Sequence, residues 1–160
     1  MPNYSSWEAL AAAAVEKTRK ILEHDVAPVA KNILNKHIQE DIYAAYSPVG
    51  SEFGGYDRRG ELGSPSNTKA EILDDGTLNI TNIAVDSNSV RMQYGFADVS
   101  EYNETDRLLY WIEYGLVPNM FNSKPYSWMN ARPAVQLTQN EINTSPEITA
   151  AIERGINREF

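Results

Sequence analysis

Apolar positions recur at helical spacing from the start of the chain. Trp7, Leu10, Ala14, Ile21 and Leu22 form one stripe, and the alanine-rich run from Ala9 to Ala14 is a strong helix former. Ser5 or Ser6 can cap its start. Val29, Ile33, Leu34, Ile38 and Ile42 continue a second stripe, which ends near Tyr46, before Pro48. Pro28 lies between the stripes. It offers no backbone donor and crowds the preceding turn, so the pattern predicts a kink or short break near Asp25–Ala27. A helical segment of this length exceeds what one small core can cover, so part of it is expected to meet another chain.

The segment 47–67 is rich in Gly, Ser and Pro and carries the adjacent pair Arg58 and Arg59 beside Tyr56. Long loops of this kind bind something or remain without fixed structure. In an acidic chain the two arginines suit an acidic neighbour, and ordering the loop would need contacts from outside the subunit. A small sheet is predicted next. Ala70 and Ile72 alternate with polar residues, Asp74-Asp75-Gly76 is a turn signal, and Leu78 and Ile80 resume the alternation. Ile83 and Val85 then continue it out of phase, which predicts a bulge near Thr81–Asn82. A turn at Asp86-Ser87-Asn88-Ser89 precedes a third strand, with Val90, Met92, Tyr94 and Phe96 on one face.

The stretch from Leu108 to Val135 holds Trp111 and Trp128, two of the three tryptophans. Leu108, Leu109, Trp111 and Ile112 predict a short helix that Thr105 can cap and Gly115 can end. A loop with Pro118 and Pro125 leads from it to Ala131-Arg132-Pro133-Ala134-Val135. Glu113 sits inside the apolar run, where a carboxylate must be paired, hydrogen-bonded or at the edge of the buried region. Arg132 is the natural candidate partner, because its planar fork suits a carboxylate; the alternative is that Glu113 is the exposed side of an amphipathic turn. Ser145-Pro146-Glu147 then supplies a cap, a proline and a first-turn acid for a terminal helix striped by Ile148, Ile152 and Ile156.

The resulting order predicts an α+β fold: a long kinked N-terminal helix, a small antiparallel β-meander, a short helix and a C-terminal helix. The length of 160 residues suits a single domain, 1–160, divided into a helical arm 1–46, a loop 47–67, and a sheet with C-terminal helices over 68–160.

Composition narrows the function. A net charge of -8 disfavours general nucleic-acid binding, which needs a concentrated basic surface. With no cysteine, thiol chemistry, disulfides and cysteine-based metal sites are excluded. No apolar run approaches the ~20 residues of a membrane span, and no basic region followed by an apolar core predicts a secretion signal. His24 and His37 lie too far apart on the helix to share a metal and read as ordinary helix residues. Asp74 and Asp75 are explained by turn preference rather than acid–base work. The sequence holds no phosphate-binding glycine loop with Lys-Ser/Thr and no Gly-x-Ser-x-Gly elbow. It predicts no enzyme and no cofactor, metal or catalytic residue, and points to assembly.

Tyr110-Trp111-Ile112-Glu113-Tyr114-Gly115, followed by Ala131-Arg132-Pro133-Ala134 and a closing helix, resembles the small head–tail joining proteins of long-tailed bacteriophages, described as neck or tail-completion proteins. Arg59-Gly60-Glu61-Leu62 stands where that family has a Gly-Leu-like or Glu-Leu-like step. The acidic-threonine-glycine step usual before the loop is not clear, and Asn119–Trp128 is an individual loop. The resemblance implies a ring of identical subunits, six- or twelve-fold, at the head–tail interface of the virion, assembled in the host cytoplasm. Its partners would be further copies of itself and neighbouring connector and tail proteins. DNA would pass through the lumen without sequence-specific binding, and an acidic lumen does not trap it. No membrane is involved. The residues expected at subunit or neck interfaces are Tyr56, Arg58, Arg59, Tyr110, Trp111, Glu113, Trp128 and Arg132. Two other readings compete. One is a small ligand-binding or hydrolytic α+β domain with a pocket around Tyr94, Tyr110, Glu113 and Arg132. The other is a host-side adaptor using the long loop.

Overall fold

A computed structural model describes residues 6–45, 62–84, 108–114 and 131–160, with the backbone alone for Leu108, Tyr110 and Trp111. Helix α1 spans Trp7–Ile21 and α2 spans Ala27–His37. Of the two candidate serines, Ser6 is the cap: its Oγ accepts from the Ala9 N–H at 3.2 Å. The kink predicted at Pro28 takes the form of a π-turn over Leu22–Val26, through which the chain stays helical. Proline has no N–H for the carbonyl four residues back, and the Ala27 N–H instead reaches five residues back to the Leu22 carbonyl. The wider turn also corrects the stripe. Ile21 and Val26, five residues apart, would diverge on a regular helix, yet both are buried in the same cluster. A second π-segment, Ile38–Ala44, continues α2. The helical run from Trp7 to Ala44 is roughly 55 Å long, against ~30 Å for a small domain.

A 3-10 turn at Pro65–Asn67 leads into strands β1 (Thr68–Ile72) and β2 (Leu78–Asn82). They pair antiparallel from Thr68↔Asn82 to Ile72↔Leu78. The acidic turn between them forms as the sequence predicts: Gly76 takes φ 84°, the left-handed region that suits glycine, and Asp75 Oδ1 accepts from the Thr77 N–H at 2.9 Å. The bulge predicted near Thr81–Asn82 is absent. Pairing is one-to-one through Asn82, where β2 ends. The register holds for one more hydrogen bond, from the Ile83 N–H to the Asn67 carbonyl; Ile83 is exposed and Ala84 is buried. The predicted third strand and its turn lie outside the described residues, as do Thr105 and Gly115.

Helix α3 spans Leu108–Tyr114, α4 spans Ala134–Thr144 and α5 spans Pro146–Glu159. Helix α4 lies between Pro133 and Ser145, where the sequence pattern predicts no separate helix. Ser145 closes α4 and caps α5, its Oγ accepting from the Glu147 N–H at 3.2 Å, with Pro146 in the first turn.

The helices and the hairpin bury two apolar clusters. One joins Leu34, Ile38 and Ile42 of the long helix to Leu62, Ala84, Leu109 and Ala134. The other joins Ile21, Val26, Ala30 and Ile33 to Ile148 and Ala151 of α5. Ile80 of β2 packs against both. Ile38, wholly buried, contributes about 1.5–3 kcal/mol relative to an exposed position. Leu62 is 1% exposed, so the end of the 47–67 segment belongs to the core. Asn82 ties it there: its Nδ2 donates to the Leu62 carbonyl at 2.8 Å and its Oδ1 accepts from the Ala84 N–H at 3.0 Å. Both halves of this buried amide are used, as burial requires.

Candidate assembly interface

Three helix ends converge beside the first cluster. Helix α4 starts at Pro133, which has no side-chain acceptor for the orphan amides of the first turn. Glu113 of α3 supplies it from another helix: its Oε2 accepts from the Val135 N–H at 2.8 Å and its Oε1 from the Gln136 N–H at 3.1 Å. A carboxylate at the positive end of a helix is favourable on charge as well as geometry. Arg132 serves the opposite polarity. Its Nη1 donates to the Ile42 carbonyl at 3.0 Å, in the last turn of the long helix, and its backbone N–H donates to the Ile112 carbonyl at 3.0 Å. The sequence reading set Glu113 beside Arg132, and the structure places both at this junction. Both are anchors, but each side chain binds a helix end through backbone groups.

A second seam joins α2 to α4. Lys36 Nζ donates to Glu141 at 3.0 and 3.2 Å, and His37 lies between two carboxylates. Its Nδ1 is 2.6 Å from Asp41 Oδ2, while its Nε2 is 3.0 Å from Glu141 Oε2 but off the angle for a hydrogen bond. Hydrogen bonding to Lys36 holds the Glu141 carboxyl below its ordinary range, and the same contact raises Lys36. His37 is a helix residue, as the sequence suggested, and it also packs between Asp41 and Glu141. Among the described residues no group of three or more His, Asp and Glu is placed to hold a metal ion.

Helix α5 docks on the first π-turn. Gly155 lies so close that a Cβ there would come within 2.5 Å of the Ile21 side chain and 3.0 Å of Asp25 Oδ2. Arg158 forks onto Asp25 at 2.9 and 2.8 Å. One turn further, Lys17 Nζ donates to the Glu159 carbonyl and lies 4.6 Å above the Phe160 ring. The described contacts between α5 and α1 thus run from Ile21 to Lys17. On a regular helix Trp7, Leu10 and Ala14 continue the Lys17–Ile21 face toward the N-terminus. Trp7 is 82% exposed, Leu10 37% and Val15 67%. At the other side of the seam Ile156 and Phe160 of α5 are also exposed.

This arm carries exposed large apolar side chains beyond its described contacts with α5. The sequence stripe named Trp7 and Leu10 as helix positions, and the helix surplus signalled that some of it lies outside the core. Nothing in the stripe itself showed which end. Of the predicted interface residues, Glu113 and Arg132 come together at the helix-end junction. Tyr110 and Trp111 lie on α3, their side chains outside the described residues. Tyr56, Arg58, Arg59 and Trp128 fall outside the described residues altogether, as does Tyr94 of the alternative pocket.

Comparison with protein families matches the YomN family over residues 6–158. The chain belongs to the YomN family. YomN is the name of a phage-derived, prophage protein, and membership of the family is consistent with a phage origin for this chain. No curated protein and no solved structure matched this YomN-family chain. No helix among its described residues is long and apolar enough to cross a membrane.

Proposed function

We propose that this YomN-family chain is a non-enzymatic structural protein of the phage particle, forming a ring of identical subunits at the head–tail interface around the DNA channel. The observation that carries the reading is the arm of α1. A helix roughly twice as long as the core it serves extends beyond α5 with Trp7, Leu10 and Val15 exposed. Repeated contact of the arm with a different surface of the next copy is heterologous, and such contacts close into a ring where the rotation between copies closes. The phage-derived family and the resemblance to neck proteins support the placement at the head–tail junction. Residues Glu113 and Arg132 act in this reading as internal anchors that fix α3 and α4 relative to the arm. The net charge of -8 suits a channel through which DNA passes without being held.

Negative-stain electron microscopy of the purified protein, alone and with neck and tail components of the same phage, tests the reading. Six- or twelve-fold rings are expected. Particles of one subunit in both preparations would overturn it.

A further inference from the structure

A groove of about 730 Å³ runs between the long helix and the hairpin. Every residue of β1, Thr68–Ile72, lines it, whereas β2 contributes Leu78 at the turn end. The groove therefore follows the edge of β1 that β2 does not use. Among the described residues β1 pairs with β2 alone, so alternate backbone donors and acceptors face this edge. The helical wall contributes Arg19 and Lys31, and the strand contributes Lys69.

What sets these three cations apart is that they gather on one groove. Lys20, Lys36 and Arg158 each have a carboxylate partner. Arg19, Lys31 and Lys69 have none within ion-pairing distance among the described residues. The chain has 22 acidic and 14 basic residues, so unpaired cations gathered on one groove reverse its overall sign locally.

We infer that this groove receives an extended polypeptide segment carrying Asp or Glu, donated by a neighbouring protein subunit and added as a strand to β1. Its backbone would complete the open edge, and its alternate side chains would place carboxylates on Lys69, Lys31 and Arg19. Nucleic acid fits less well. The three cations stand singly among Glu23 and Glu71, so a segment with spaced carboxylates can meet each cation while a continuous line of phosphates also meets the two glutamates. The site adjoins the arm, since Arg19 belongs to α1, but its occupation does not depend on a ring.

Fluorescence anisotropy tests it with three labelled probes: a short peptide alternating Glu and Thr, its Gln–Thr counterpart, and a duplex oligonucleotide. The full-length protein is titrated with each, and hydrogen exchange is followed at residues 68–72. The Glu–Thr peptide is expected to bind, to weaken with added salt, and to slow exchange in β1. The double variant Lys31→Glu, Lys69→Glu is expected to weaken it about tenfold, from two exposed ion pairs at roughly 0.5–1 kcal/mol each. Unchanged thermal melting checks that this variant folds, and the salt dependence of the wild-type protein tests the charge requirement independently. Absence of binding, equal binding of the Gln–Thr peptide, preference for the oligonucleotide, or binding that leaves residues 68–72 unprotected would each overturn the inference.

Discussion

Arg132 Nη1 donates to the carbonyl of Ile42 at 3.0 Å, closing the last turn of the long helix with a side chain ninety positions later in the chain. Helix C-termini present unsatisfied carbonyls and partial negative charge, and a guanidinium answers both. Glu113 answers the opposite end of another helix with opposite charge. The junction thus joins the arm, α3 and α4 without requiring a direct ion pair between the two charged residues.

Replacing Glu113→Ala is expected to destabilise the fold by about 1 kcal/mol, the usual worth of an N-terminal cap. Pro133 occupies the cap position, so adding Pro133→Asp places an acceptor there and should recover most of the loss. Urea unfolding of the single and double variants measures both. No recovery, together with strong non-additivity between Glu113→Ala and Arg132→Ala, would restore the direct ion pair as the governing interaction.

Gly155→Ala adds a methyl where Ile21 and Asp25 already fill the space. The result should be a loss of about 1–3 kcal/mol from overpacking, despite alanine's better helix propensity. Thermal melting of this variant beside Gly76→Ala is informative. Gly76 has open space around its Cβ position but a positive φ, so its loss is conformational and should leave the α1–α5 seam intact. Hydrogen exchange in α5 should therefore rise in Gly155→Ala alone; equal exchange in both would show that the seam tolerates the methyl.

The Lys36–Glu141 contact gives stability a dependence on acid. The folded-state pKa of Glu141 lies below its ordinary value, first because Lys36 donates to it. An unfolded chain then takes up the proton first, so the contribution is present at neutral pH and lost as pH falls through the depressed value. Glu141→Gln should flatten the acidic limb of a melting-temperature profile. An unchanged limb in that variant would assign the acid sensitivity to other carboxylates.

What the sequence made legible was local. Ser6, Ser145 and Asp74-Asp75-Gly76 act on amides within three residues of themselves, so pattern alone found them. Pro28 announced a disturbance, and only the folded chain showed that it is a π-turn in which Ala27 bonds back to Leu22. The spacing of Ala134, Thr138, Glu141 and Ile142 was helical but lay behind Pro133, with no local cap to announce a helix. Its cap comes from Glu113, more than twenty positions away, and backbone amides leave no trace in sequence. The bulge expected near Thr81–Asn82 from the phase of Ile83 and Val85 is absent: alternation alone does not reveal where pairing stays one-to-one, and Val85 lies outside the described residues. The arm followed from length, since no small core covers a helix from Trp7 to Ala44.

The mass of the assembled protein in solution tests the account most directly. Light scattering after size exclusion should give six or twelve times the 18.0 kDa subunit for the wild-type chain. The double variant Trp7→Glu, Leu10→Glu places charge on the exposed face of α1, away from the buried clusters, and should run as a subunit with unchanged helix content. A wild-type protein that remains a single subunit at every concentration, or a variant that assembles as well as the wild type, would contradict the proposal that this arm builds the ring.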